Sequence, residues 1–270
     1  MTYQSIPSVP SIGGTPSAPS KTFSIGKAAK VKRGQRIIIY GTGGIGKSTL
    51  ATLAPNPAVI DVEDSTSEIS VPRISGVETI RDLRNACRDN SLWKGVDTVI
   101  IDSFTKVQEM AGDDVLARIK PEKGDRQPEC LEDYGYGKGY RYVYDVMNPV
   151  LNDTNGLIAA GKNVILICHD ITETVPNPAG DDYLQFQPKL QNSKQSNMRA
   201  RAKEWCDHLL FLHYDIAINS EGLAKGGGTR TIYAQERPHF WAKSRSLTGP
   251  YVFKTETDDS IWKALFKETK

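Results

Sequence analysis

Residues 37–55 read IIIYGTGGIGKSTLATLAP, and three signals meet in that one line. Ile37, Ile38 and Ile39 form a short β-branched run suited to a buried strand. Gly41-Thr42-Gly43-Gly44-Ile45-Gly46-Lys47-Ser48 then fits the pattern G-x-x-x-x-G-K-[ST]. Thr49 to Ala54 reads as a short helix that Pro55 ends. Strand, glycine loop and helix in this order are the context a phosphate-binding loop requires. The glycines let backbone N–H groups turn onto phosphates, and the helix N-terminus adds the positive end of its dipole. The candidate nucleotide-binding set is therefore Gly41, Thr42, Gly43, Gly44, Ile45, Gly46, Lys47, Ser48 and Thr49. Lys47 is expected to reach the β/γ-phosphates and the Ser48 hydroxyl to ligate Mg²⁺, so ATP and Mg²⁺ are the implied ligands.

Outward from this loop, the 270-residue chain is 39% hydrophobic with a net charge of +2. No apolar run approaches the ~20 residues of a membrane helix. The N-terminus lacks the charged-then-apolar order of a secretory signal, so a cytoplasmic protein with no membrane partner is expected. Cys87, Cys130, Cys168 and Cys206 are scattered without a C-x-x-C pair, as reduced thiols would be. Residues 1–20 are rich in Ser, Pro and Gly and read as a flexible tail; residues 21–270 read as one domain. Lys27, Lys30, Lys32 and Arg33 lead into the first strand. Apolar runs at Ala58–Val62, Thr98–Ile101, Val164–Cys168 and His208–His213 alternate with helical patterns at Val77–Asp89, Phe104–Ile119 and Tyr140–Ala160, the last interrupted by Pro149. That alternation predicts an α/β fold: a mainly parallel central sheet flanked by helices. TRTIYAQ and YVFKTE near the C-terminus read as short strands extending it.

A second nucleotide motif lies in VDTVIIDSFTKV, where the strand Thr98–Ile101 delivers Asp102 at its carboxyl end, ready to hold the Mg²⁺ shell. Many ATPases place their water-activating carboxylate directly after this Asp, but here Ser103 stands there. AVIDVEDST, Ala58 to Thr66, offers a substitute in Glu63, because parallel strands present their carboxyl ends together. By spacing alone, an acidic loop start is an equal alternative.

GTGGIGKST, VIDVED and VIIDSFTKV together resemble the RecA/RadA-like P-loop core ATPases, and more narrowly the compact phage-encoded members associated with single-strand annealing and recombination. The resemblance spans Arg36 to Pro250. It implies a RecA-like core, Glu63 as catalytic glutamate, and a polar γ-phosphate sensor at a later strand end. NVILICHD places His169 there, where RecA itself has glutamine. HFWAKSRSLTGP resembles the Lys-x-Arg motif that reaches a neighbour's γ-phosphate, with Ser244 where RadA proteins have Asn. Lys243 and Arg245 would then act across a subunit boundary, in a homo-oligomeric ring or filament, neutralising charge on the phosphoryl oxygens. The resemblance implies a DNA-stimulated ATP hydrolase, with single-stranded DNA as partner and a single-strand-binding protein as a further candidate.

For DNA, PKLQNSKQSNMRARAK offers Lys189, Lys194, Arg199, Arg201 and Lys203 with no acid between them, in the long polar segment where RecA-like proteins keep a mobile DNA-binding loop. Such cations suit backbone phosphates; a solvated helix face beginning near Asn197 is the alternative. DYGYGKGYRYVYD adds Tyr134, Tyr136 and Lys138 as a weaker stacking candidate. Cys206, His208 and His213 lie in or beside an apolar strand run and read as core rather than metal ligands. Two other classes stay open: a ParA/MinD-like partition ATPase, which needs a lysine where Thr42 stands, and a non-catalytic ATP-gated adaptor such as a helicase loader. No N-K-x-D motif supports a GTPase.

Overall fold

The computed structural model describes residues 33–121, 126–218 and 224–266; the expected tail, with Lys27, Lys30 and Lys32, lies outside them. Strands β1 (Arg36–Tyr40), β2 (Pro57–Asp61), β3 (Arg73–Ile74), β4 (Thr98–Asp102), β5 (Asn163–Cys168), β8 (His208–Ile218), β9 (Ala224–Tyr233) and β10 (Tyr251–Phe253) form one sheet. Its order is β10-β9-β8-β1-β5-β4-β2-β3, parallel throughout except at the β8–β9 and β9–β10 pairs. The α/β architecture read from the sequence is the one observed, and both C-terminal segments do extend the sheet.

β1 shows why the sheet is central. Ile38 and Tyr40 join one apolar cluster, while Ile37 and Ile39 join the other, on the opposite face. A strand buried on both faces carries an unbroken apolar run, which is what the three isoleucines supply. Helices α2 (Ile80–Arg88), α3 (Phe104–Arg118) and α4 (Lys138–Ala159) cover the first face. α1 (Lys47–Thr52) and α6 (Ser260–Leu265) cover the second, where Trp262 donates its indole N–H to the Leu50 carbonyl at 2.8 Å.

Pro149 does not interrupt α4, which runs unbroken for 22 residues. An internal proline costs about 3 kcal/mol. The helix buries Val143, Met147, Val150, Leu151, Leu157 and Ile158, and each large side chain contributes about 1.5–3 kcal/mol, so packing wins.

The segment after His169 also departs from expectation. Where a long mobile loop was expected, β6 (Asp170–Val175) and β7 (Tyr183–Pro188) pair antiparallel as a separate hairpin. The following helix α5 (Met198–Trp205) starts at Asn197, whose side chain accepts the Ala200 amide at 2.8 Å. Among the described residues, no helix is long and apolar enough to cross a membrane.

Candidate nucleotide site

The site lies where the parallel strands end together. Tyr40 pairs with Cys168, and Asp61 pairs with Asp102, so the loops leaving β1, β2, β4 and β5 converge on one edge. A cavity of about 290 Å³ there is lined by Gly43, Gly44, Lys47, Ser48, Glu63 and His169, among others.

The loop after β1 needs its glycines for distinct reasons. A Cβ on Gly41 would lie 2.2 Å from the Leu212 carbonyl oxygen of β8, an impossible approach. Gly44 and Gly46 hold φ of 72° and 101°, a region L side chains avoid. Beside Gly43 and Gly44 a Cβ would meet nothing within 4 Å, and both glycines line the cavity. Lys47 is buried, its ammonium donating to the carbonyls of Gly41 (2.9 Å) and Thr42 (2.8 Å). Burial lowers its pKa, opposed by the charges of Asp170 and Asp102.

Ser48 Oγ donates to Asp102 Oδ2 at 2.5 Å, joining the two motifs. Ser65 Oγ reaches the same oxygen at 3.2 Å. Burial pushes the Asp102 carboxyl above the usual carboxylate range, partly offset by the Ser48 bond. A hydroxyl and a carboxylate are the hard oxygen donors Mg²⁺ takes, so Ser48 and Asp102 fit that ion. Ser65 is a residue the sequence reading missed, because nothing in its spacing marks it. It is placed by Asp61, whose carboxylate accepts the backbone N–H groups of Ser65 and Thr66, both at 3.1 Å. Although burial works the other way, these bonds and the Thr66 hydroxyl hold the Asp61 pKa low.

Glu63 and His169 come together here: Glu63 Oε1 lies 3.3 Å from His169 Nε2. The same Glu63 oxygen accepts the Ser103 hydroxyl. Ser103, where other ATPases carry an acid, also caps α3 by accepting the Lys106 amide at 3.1 Å, and its peptide bond to Asp102 is cis. The His169 amide donates to Thr105 Oγ1 at 3.1 Å, and the His169 carbonyl accepts the Lys189 amide at 2.8 Å. One hydrogen bond therefore separates the expected sensor from the first expected DNA-contacting lysine.

The structure leaves the other cations unevenly available. Lys189 and Lys194 are exposed and Arg201 is half-buried. Arg199 is buried, and its guanidinium donates to Gln187 Oε1 (2.7 Å), Glu173 Oε1 (3.0 Å) and the Leu190 carbonyl. As a DNA contact Arg199 is corrected: it holds the hairpin to α5. Lys203 pairs with Glu236 at 2.9 Å and sits over Trp241. Counter-charges absent from the local sequence arrive from elsewhere in the chain, Glu173 from β6 and Glu236 from the segment after β9. Tyr134 is likewise corrected, being buried with its hydroxyl donating to the Val115 and Ile119 carbonyls, whereas Tyr136 is wholly exposed. A cavity of about 830 Å³ is lined by Lys189 and Arg199 but by more carboxylates, Glu109, Asp113, Glu129, Glu132 and Glu173.

Lys243 and Arg245 sit at the far end of the sheet. Lys243 exchanges backbone hydrogen bonds with Leu209, near the start of β8, and the Asp207 amide donates to the Arg36 carbonyl at the start of β1. The Lys243 ammonium donates to the carbonyls of Lys203 (2.9 Å) and Cys206 (2.6 Å), closing the C-terminus of α5. Arg245 is exposed, 3.5 Å from Asp207. His208 is buried between Ser244 Oγ (2.8 Å) and Gln35 (3.3 Å), and His213 packs at a tilt against Phe186 and Phe211.

A family model described as an AAA domain matches residues 33–246, a span that includes every expected site residue. No curated protein matches the chain. Among solved structures, the flagellar accessory protein FlaH of Methanocaldococcus jannaschii is similar over 83% of this chain and 86% of its own, at 11% identity and a TM-score of 0.40.

Proposed function

The chain belongs to the AAA domain family, and from that premise we propose that it is an oligomeric, Mg²⁺-dependent ATP hydrolase that uses its nucleotide state to control binding of single-stranded DNA, in phage-type recombination or annealing. The observation that carries the reading is the contact of Glu63 with His169 inside the phosphate cavity. It brings a water-orienting carboxylate and a phosphate-sensing side chain to one point, from strand ends distant in sequence.

In this reading Gly43 to Thr49 cradle the triphosphate and Lys47 exchanges its loop carbonyls for phosphate oxygens. Bound at Ser48 and Asp102, Mg²⁺ supplies charge neutralisation on the phosphoryl oxygens. Glu63 orients the attacking water and accepts its proton. Ser103 and His169 hold the Glu63 carboxylate toward the cavity. Loss of the γ-phosphate shifts His169, whose backbone bonds to Lys189 and Thr105 carry the change to the stretch Lys189–Lys194. The two exposed lysines, not the groove behind them, are the DNA contacts, because carboxylates rim that groove and repel a phosphate backbone. A neighbouring protomer completes the site. Of the Lys-x-Arg pair, Arg245 is the cation that acts there, exposed and held by a long ion pair with Asp207, since Lys243 already closes α5.

The test is phosphate release with and without single-stranded oligonucleotide, with binding measured at low salt. Stimulation and salt-sensitive binding, both weakened by Lys189→Ala with Lys194→Ala, are expected. Hydrolysis that ignores the oligonucleotide, together with no binding at low salt, would overturn the DNA role.

A further inference from the structure

The phosphate loop is gripped from outside by a side chain that neither nucleotide motif contains. Arg230 lies on β9, where it pairs across to Tyr214 of β8 and to Phe253 of β10. Its Nη1 donates to the carbonyl oxygen of Ile45, within the loop, at 3.1 Å. Its Nη2 donates to Glu256 Oε1 at 3.0 Å, and the guanidinium lies 4.4 Å from the Phe253 ring centroid. The Arg230 side chain is 15% exposed and Glu256 63%. The fit is close: a Cβ on Gly46 would stand 2.7 Å from Nη1 and 3.3 Å from Phe253.

We propose that Arg230 is a positioning residue for nucleotide binding, fixing the orientation of the Ile45–Gly46 peptide so that the Gly46 N–H faces the phosphates. The inference rests on the nucleotide reading of the same cavity. A trans peptide is planar, with its C=O and N–H pointing in opposite directions. Arg230 does not line the cavity, whereas Gly46 does. Drawing the Ile45 oxygen outward therefore turns the Gly46 N–H inward, before any ligand arrives. A loop ordered in advance does not lose that freedom on binding, and preorganisation of this kind raises affinity. At the other end of the loop, Gly41 packs so closely on the Leu212 backbone that a Cβ there would stand 2.2 Å from its carbonyl oxygen. Both contacts come from the β8–β9 hairpin, so the C-terminal strands shape a loop that lies far upstream in the sequence.

Two substituents hold the guanidinium in place, with unequal strength. The Glu256 side of the pair is largely exposed, and ion pairs with an exposed partner contribute little. The stack on buried Phe253 orients the fork without depending on salt.

The experiment compares wild type with Arg230→Gln, Arg230→Lys and Glu256→Gln. It measures affinity for a fluorescent ATP analogue with Mg²⁺, KM and kcat for ATP, the melting temperature of the nucleotide-free protein, and amide hydrogen exchange in the loop. Arg230→Gln is expected to weaken nucleotide affinity and raise KM about tenfold, the effect of losing one charge-assisted hydrogen bond. Its kcat should stay within about twofold of wild type, since Arg230 touches no reacting atom. Loop amides at 43–47 should exchange faster in the nucleotide-free variant. Arg230→Lys, which keeps a donor for Ile45, should recover most of the affinity, and Glu256→Gln should lose less than about threefold. Unchanged affinity and unchanged loop exchange in Arg230→Gln would overturn the proposal. So would a loss confined to kcat, or a melting temperature lowered without any change in loop exchange. A wild type that binds no nucleotide would instead defeat the reading of the cavity, while loop exchange would still judge Arg230.

Discussion

Glu63 and His169, 106 residues apart in the chain, meet at 3.3 Å between Oε1 and Nε2. Glu63 sits two residues past the end of β2 and His169 one past the end of β5, with β4 lying between those strands. Ser103, at the end of β4, bridges the gap by donating to the same Glu63 oxygen. Under the proposed function, a glutamate held in this way at the cavity orders the attacking water, and the first prediction follows. Glu63→Gln keeps shape and hydrogen-bonding reach but cannot accept a proton. Phosphate release should fall at least about 100-fold, within the range general-base catalysis supplies, while nucleotide affinity stays within about threefold. Parallel turnover and equilibrium-binding assays check it, and undiminished turnover would remove Glu63 from the chemistry.

Asp102 sets stability against function. Burial raises its pKa in the folded chain, so ionisation at neutral pH works against folding, and this penalty appears as pH rises through the folded pKa. Asp102→Asn removes the charge and retains an acceptor for Ser48 and Ser65. The nucleotide-free variant should melt no lower than wild type at pH 8, yet lose the stabilisation that saturating MgATP gives by mass action. Thermal melts with and without MgATP read both quantities.

Arg199 and Lys194 were equivalent cations in the sequence and should part company in the laboratory. Arg199→Ala leaves Gln187 and the Leu190 carbonyl without their donor and Glu173 without its counter-ion. It should cost roughly 2–4 kcal/mol in denaturant unfolding. Lys194→Ala, at an exposed position, should change stability by less than about 0.5 kcal/mol and show its effect only in DNA binding.

His208 gives a pH signature. Burial lowers its pKa from 6.5 to about 4, so the unfolded chain binds the proton more readily. Stability from this group is fully present above pH 6.5 and is lost as pH falls toward 4. At about 1.4 kcal/mol for each pH unit, the loss approaches 3 kcal/mol. Unfolding free energies from pH 7 to 4 should therefore decline more steeply in wild type than in His208→Gln, and superimposable slopes would refute it.

The phosphate loop, Asp102 and the mainly parallel character of the sheet were legible because each is written in local sequence, whereas the order of the strands was not. A glycine at a positive φ, a lysine after it, and an apolar run ending in an acid act through residues adjacent in the chain. The hairpin β6–β7 was not legible, since β6 alternates exposed and half-buried residues and β7 buries glutamines, Gln185 and Gln187, rather than an apolar run. α4 passed through Pro149 because burial over a long helix outweighs one lost hydrogen bond.

By itself, then, the sequence determined which groups could hold a triphosphate, because cradle, lysine and serine stand side by side in one loop. Tertiary structure alone decided which charges remain free and which partners shape the site. Arg199 found Glu173, Lys243 closed α5, Ser65 reached Asp102, and Arg230 crossed from β9 to the Ile45 carbonyl. Charges and hydrogen bonds act over a few ångströms of space, and sequence separation has no bearing on that distance until the sheet has formed.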